Sequence, residues 1–250
     1  MRKVKTIKRT VLILGFLFLM PVLLAAQTAE EIVVKMDDLQ RFDSMQSRGS
    51  LITRDRFGTK TITFISWSEG SSDFLIEFTS AAEAGQKILR TSDELFLYFP
   101  DAEEVIRLQG AALRQSMMGS DISYEDMTEG NNTLDKYDVK LVGEERVEGK
   151  NCFVIEMTAK SRNVPYTKQT IWVVKDSYIP QQVQYFSKSG KLLKEMRVLG
   201  FMEVDGKVII SRMVLEDKLK KNSSTEMILD EAKANIKLAS DFFSLDQLSW

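Results

Sequence analysis

Residues 73–79 read Asp73–Phe74–Leu75–Ile76–Glu77–Phe78–Thr79. Side chains on a strand alternate between two faces, so Phe74, Ile76 and Phe78 share one apolar row while Asp73 and Glu77 fall on the other. That division predicts an antiparallel sheet with one dry face and one wet face. A little downstream, Leu95–Phe96–Leu97–Tyr98–Phe99 is apolar on both faces, which predicts a strand that is central or covered. Outward from this pair, short segments rich in Ile, Val, Thr and Phe recur between clusters of Gly, Asp, Asn and Ser. Thirteen such segments run from Gly49–Phe57 to Ser224–Leu229. Tight turns such as Arg56–Phe57–Gly58–Thr59, Ser187–Lys188–Ser189–Gly190 and Val204–Asp205–Gly206 suggest one continuous antiparallel meander.

A sheet of this size needs covers for its concave side, and three segments offer themselves. Thr28 stands three residues before Glu31, at capping-box spacing, and Ile32, Val33, Met36, Leu39 and Phe42 follow at helical intervals, which predicts a helix over Ala29–Arg41. Ala111–Met118 reads as a short helix or flap, and Ala239–Leu248, with Asp241 as its cap, as a closing helical turn. Three short covers are few for thirteen strands, so the sheet either closes into a barrel or curls around a cavity. No linker rich in Pro, Gly or Ser divides residues 27–250, which are expected to form one domain.

The beginning of the chain has a different character. Arg2, Lys3, Lys5, Lys8 and Arg9 precede an apolar run from Val11 to Ala26, too short for the roughly 20 residues that span a bilayer. Pro21 breaks the run near its end and Leu24–Ala25–Ala26 supplies small residues before Gln27, so residues 1–26 read as a signal peptide and the protein as exported. A retained membrane anchor is the alternative. Of the 34 basic and 36 acidic residues the segment holds five basic ones, leaving 29 against 36. That acidic balance argues against a nucleic-acid partner.

Composition narrows the chemistry. With no His and one Cys, Ser/Cys–His catalysis, His-ligated metal sites, an intrachain disulfide and thiolate clusters are all closed. Cys152, beside Asn151 and Phe153 at the start of a strand, fits a small core residue. Asp121, Glu125 and Asp126, with Tyr124 among them, form the densest acidic cluster near the flap. Paired-carboxylate chemistry or a divalent cation would use such residues, but a solvated loop capping its own backbone is their commoner use, and the spacing matches no metal motif. The aromatic and Met residues Phe64, Trp67, Phe74, Phe78, Phe96, Phe99, Met117 and Met118 gather in one half of the chain. Thioethers beside aromatics suit an adaptable apolar surface, although a core would use the same residues.

The order Trp67–Ser68–Glu69–Gly70, Asp73–Phe78, Gly85–Arg90, Leu95–Pro100, Val105–Arg107 and Met118–Gly119–Ser120–Asp121–Ile122–Ser123–Tyr124–Glu125–Asp126–Met127 resembles the outer-membrane lipoprotein-sorting proteins. These are relatives of the periplasmic lipoprotein carrier LolA and its acceptor LolB. The resemblance implies a mainly β fold, an incomplete antiparallel barrel curved around a hydrophobic cavity with a few covering helices. It marks Gly119, Ser120, Asp121, Tyr124, Glu125 and Asp126 as family motif residues. It also implies the role, carriage of acylated lipoproteins or another lipid across the periplasm by a monomer that needs no cofactor and no catalytic residue. An inner-membrane exporter would then be a partner. Alternation points to Phe64, Trp67, Phe74, Ile76, Phe78, Leu97, Phe99, Met117 and Met118 as the cavity lining, with the proviso that a one-residue offset turns a row to the opposite face. Two other readings stand beside it: a non-catalytic module that senses envelope lipids or lipoproteins and signals to a membrane protein, and an enzyme using the Asp121–Asp126 carboxylates.

Overall fold

A computed structural model describes residues 27–70, 72–128, 132–162 and 164–248. The expected signal segment, residues 1–26, lies outside them. Helix α1 (Ala29–Leu39) is followed by β1 (Ser44–Asp55), β2 (Gly58–Glu69), β3 (Asp73–Phe78), β4 (Lys87–Thr91), β5 (Glu94–Phe99) and β6 (Glu104–Leu108). Short 3-10 turns and helix α2 (Thr133–Lys136) lead to β7 (Tyr137–Val147), β8 (Lys150–Ala159), β9 (Lys168–Val174), β10 (Pro180–Phe186), β11 (Leu192–Val204), β12 (Lys207–Asp217) and β13 (Ser224–Ala234). All thirteen strands expected from the short apolar and alternating segments form, and the sheet they make is antiparallel and open.

The connectivity departs from a continuous meander. The spatial order is β6-β5-β4-β3-β2-β1-β13-β12-β11-β10-β9-β8-β7. Two meanders meet where β1 pairs with β13, and the strands β6 and β7, consecutive in sequence, form the two edges. Turn signals report only local hairpins, so they are silent on this junction.

Register fixes which side chains share a face. On the inner face Phe64 lies opposite Phe78, and Ser66, Ile76, Ile88 and Leu97 form one cross-strand row. On the outer face the row is Trp67, Leu75, Leu89 and Phe96. Bulges at Arg48/Gly49 in β1 and around Gly200 in β11 bend the sheet. Gly49 is required at its bulge: a Cβ there would stand 2.1 Å from the Ile228 carbonyl oxygen and 3.1 Å from the Phe64 ring.

The covers divide between the two faces. Thr28 and Glu31 form the reciprocal capping box that starts α1. The helix then lays Ile32, Val33 and Met36 on Tyr137, Ile155, Ile171, Val173 and Val183 of the second meander. Each fully buried side chain of this kind contributes about 1.5–3 kcal/mol. The C-terminal segment goes elsewhere. Phe243 and Leu248 pack with Leu75, Leu89 and Phe96, so this segment covers the outer face of the first meander rather than the concave side. That explains how β5, one strand from an edge, is apolar on both faces. Asp241 contributes its backbone carbonyl to the Ser244 N–H at this turn.

Candidate functional site

Between β6 and β7 the chain crosses the inner face from one edge of the sheet toward the other. This strap carries 3-10 turns at Gly110–Arg114, Met117–Gly119 and Glu125–Thr128, where the sequence suggested one short helix or flap. Its centre is a knuckle: the Met117 N–H donates to the Ile122 carbonyl at 2.8 Å, the Tyr124 N–H to that of Gln115 at 3.2 Å, and Ser116 bridges Ser123. The reversal passes through Met118 and Gly119 at φ 51° and 82°, a left-handed pair that Gly119 adopts without a Cβ penalty.

Two carboxylates fasten the strap to the sheet. Asp121 is buried, and its oxygens accept from Ser223 Oγ at 2.7 and 2.9 Å and from Thr225 Oγ1 at 2.9 Å, while its N–H donates to Thr225 Oγ1 at 2.8 Å. Lys220 Nζ stands 3.5 Å away and donates to the Ser120 carbonyl at 2.6 Å. Asp126, five residues on, accepts from Lys194 Nζ at 2.5 Å, from the Ser123 N–H at 2.7 Å and from the Tyr166 hydroxyl. Tyr124, itself in the strap, is buried, and burial raises its hydroxyl pKa. Asp121 and Asp126 thus act in the structure as fasteners to strands β13 and β11. Cys152 is fully buried and burial pushes its thiol pKa up, the state of an unreactive core residue.

Under the strap lies a cavity of about 390 Å³. Its walls are Leu51, Phe64, Ser66, Ile76 and Phe78 from β1–β3, Met117, Ile122, Asp126 and Met127 from the strap, Tyr166 from the loop before β9, and Tyr185, Met196, Met213, Leu215, Met227 and Leu229 from β10–β13. Of the residues expected there, Phe64, Ile76, Phe78 and Met117 line it. Leu97 belongs to the apolar cluster around it, and Phe74, Phe99 and Met118 pack against that cluster. Trp67 does not: it sits on the outer face, its ring 5.6 Å from that of Phe242. It is three residues from Phe64, and an odd spacing on a regular strand means opposite faces.

The second meander supplies nearly half of the wall, which the concentration of aromatics in the first half of the chain concealed. Met213 and Leu215, and Met227 and Leu229, carry the same alternation as Ile76 and Phe78. Five methionines face the cavity, giving a polarisable wall that accommodates varied shapes. Among the described lining residues Asp126 is the one carboxylate or cation. The remaining polar lining side chains are Ser66, Tyr166 and Tyr185, the last two with rings 4.5 Å apart.

An open antiparallel half-barrel around an apolar cavity is the LolA type of fold, and the chain shares it with a LolA superfamily structure over 89% of its length. A family model described as "-like: Uncharacterized protein" matches residues 70–250, and the chain belongs to that family. It is similar to the crystal structure of a DUF1329 family protein from Desulfovibrio piger ATCC 29098, with TM-score 0.82 and 25% identity over 88% of this chain and 97% of that one. A LolA superfamily protein from Nitrosomonas europaea gives TM-score 0.75 and 27% identity over 89% and 100%. The crystal structure of a putative outer membrane lipoprotein-sorting protein domain from Vibrio parahaemolyticus gives 0.80 and 22% over 88% and 97%. No curated protein matches the chain.

Proposed function

We propose that the protein is a periplasmic carrier that holds the acyl chain of a lipoprotein or another lipid in the strapped cavity on its way toward the outer membrane. The observation that carries this reading is the 390 Å³ cavity itself, walled by aliphatic, aromatic and thioether side chains within a half-barrel similar to a lipoprotein-sorting domain. Each methylene taken out of water contributes about 0.8 kcal/mol, so such a cavity competes with a membrane for a chain without covalent chemistry. Loading and release need an opening, and the strap supplies one. It is held by two polar fasteners and by the apolar packing of Met117 and Tyr124 rather than by pairing with the sheet strands, so its opening would leave the thirteen-stranded sheet intact. Asp121 and Asp126, which an enzyme would need as reacting groups, are engaged in holding it.

Export of the chain by residues 1–26 accounts for the compartment, and the motif residues Gly119 to Asp126 account for the strap. The test is to extract the purified protein, identify co-purified lipid by mass spectrometry, and titrate the emptied protein with an uncharged fluorescent chain probe. Co-purified lipid, or saturable probe binding displaced by that lipid, is expected. Protein that is consistently empty and takes up no probe refutes the carrier role.

A further inference from the structure

The composition of the cavity wall sorts possible cargo by its head. Five thioethers and the aliphatic side chains impose little on the shape of a chain, so discrimination has to come from the polar corner. That corner is built on Asp126. A carboxylate offers about four acceptor positions on its two oxygens. Tyr166 occupies one on Oδ1, and Lys194 Nζ and the Ser123 N–H occupy two on Oδ2. Among the described residues one acceptor position on Oδ1 is left, on a residue that lines the cavity. Lys194, the cation that balances Asp126, is buried and is not part of the lining. Its Nζ is engaged by Asp126 and, at 3.3 Å, by Ser123 Oγ.

We infer that the cargo head bound at this corner is an uncharged hydrogen-bond donor, the hydroxyl of a single-chain alcohol or monoacylglycerol, and that it donates to Asp126 Oδ1. An ionised fatty-acid head has no proton to donate and would be buried beside a carboxylate with no lining cation to meet it, a costly arrangement. A chain ester is neutral but has only acceptors, so it leaves Asp126 without its fourth donor. The cavity volume sits near the lower end of the roughly 300–1,000 Å³ that encloses one small ligand, which favours a single chain over several. The inference rests on the carrier reading and adds to it a rule for the head.

The experiment is displacement of an uncharged fluorescent chain probe from the emptied full-length protein at pH 8 by dodecan-1-ol, methyl dodecanoate and sodium dodecanoate, all below their aggregation limits. Dodecanol is expected to displace at a concentration at least tenfold lower than either of the others, the effect of one hydrogen bond to a charged acceptor. In Asp126→Asn, which keeps the side-chain size, the dodecanol-to-ester ratio is expected to fall to threefold or less. Because the readout is a ratio within one protein, a general loosening of the strap does not imitate it. Equal displacement by all three compounds, or preference for dodecanoate, overturns the head rule and leaves the carrier reading standing. Failure of the wild-type protein to bind the probe or any of the three overturns both.

Discussion

The strap is expected to open about 30-fold more often in Thr225→Val. Thr225 is fully buried, and its hydroxyl does three things: it accepts the Asp121 N–H at 2.8 Å, donates to Asp121 Oδ2 at 2.9 Å, and meets the Thr53 hydroxyl at 3.3 Å. Valine has the same shape and none of these bonds. The Asp121 N–H is left buried without a partner, which costs about 1–3 kcal/mol, while the carboxylate keeps the Ser223 hydroxyl shared between its two oxygens. A net loss of about 2 kcal/mol from the closed state corresponds to a factor of about 30 in the closed-to-open equilibrium. When opening and closing are fast, amide exchange follows that equilibrium. Hydrogen exchange read by mass spectrometry on the peptide covering residues 115–127 should therefore accelerate by about that factor, and release of a cavity-bound probe should quicken in step. A variant with a lower denaturant midpoint but wild-type exchange in this peptide would refute the reasoning, because the strap would then open without parting Asp121 from Thr225.

Four further outcomes follow from the packing and charge. Gly49→Ala places a methyl group 2.1 Å from a backbone oxygen that no rotamer change can move, and should lower stability by about 3 kcal/mol in urea unfolding. Met227→Trp fills the cavity from β13 and should cut probe affinity more than tenfold, measured by titration, while the circular dichroism of the sheet is retained. Stability should fall as pH drops below about 4.5. Glu226 is buried, which alone raises its pKa, but bonds from Arg212 and from Arg54 at 3.1 Å outweigh this and hold it below the ordinary 4.5. Glu83 behaves likewise with Lys60 and Ser80. A depressed folded-state pKa contributes stability that is complete above the unfolded value and disappears as pH falls through the folded one. Asp37, whose pKa burial raises, works in the opposite direction. Glu226→Gln should cost about 1–2 kcal/mol at pH 7 and flatten the acid limb of the unfolding curve.

Most of the fold was legible because it is written in local signals. Short apolar or alternating segments between turn residues marked the strands, and Thr28 with Glu31 marked the start of α1. The β1–β13 pairing carries no such signal: Leu51 and Met227 are ordinary apolar strand residues whose partnership depends on the whole sheet. Similar reasons separate the parts of the site. Phe64, Ile76 and Phe78 followed from alternation, and the same rule, applied strictly from Phe64, turns Trp67 outward. The acidic motif was visible as residues but not as fasteners, because Ser223, Thr225 and Lys194 lie between 68 and 104 residues away in the chain. The C-terminal segment reads as a cover, and only the register of Leu75, Leu89 and Phe96 tells which face it covers.

The junction of the two meanders has a consequence for the order of folding. Apart from β1 with β13, every ladder joins strands adjacent in sequence, so each half zips through short hairpin closures. The remaining ladder must bring together Leu51 and Met227, which lie far apart in the chain, and long-range closures of this kind are slow. The cavity is walled from both sides of that seam, by Leu51, Phe64 and Phe78 from one half and Met213, Met227 and Leu229 from the other. A chain emerging N-terminus first, from a ribosome or a translocation pore, therefore has no competent pocket until its last strand has appeared and docked. Until then the inner rows of both halves are exposed, and this is the interval in which the protein is most open to aggregation and to capture by chaperones.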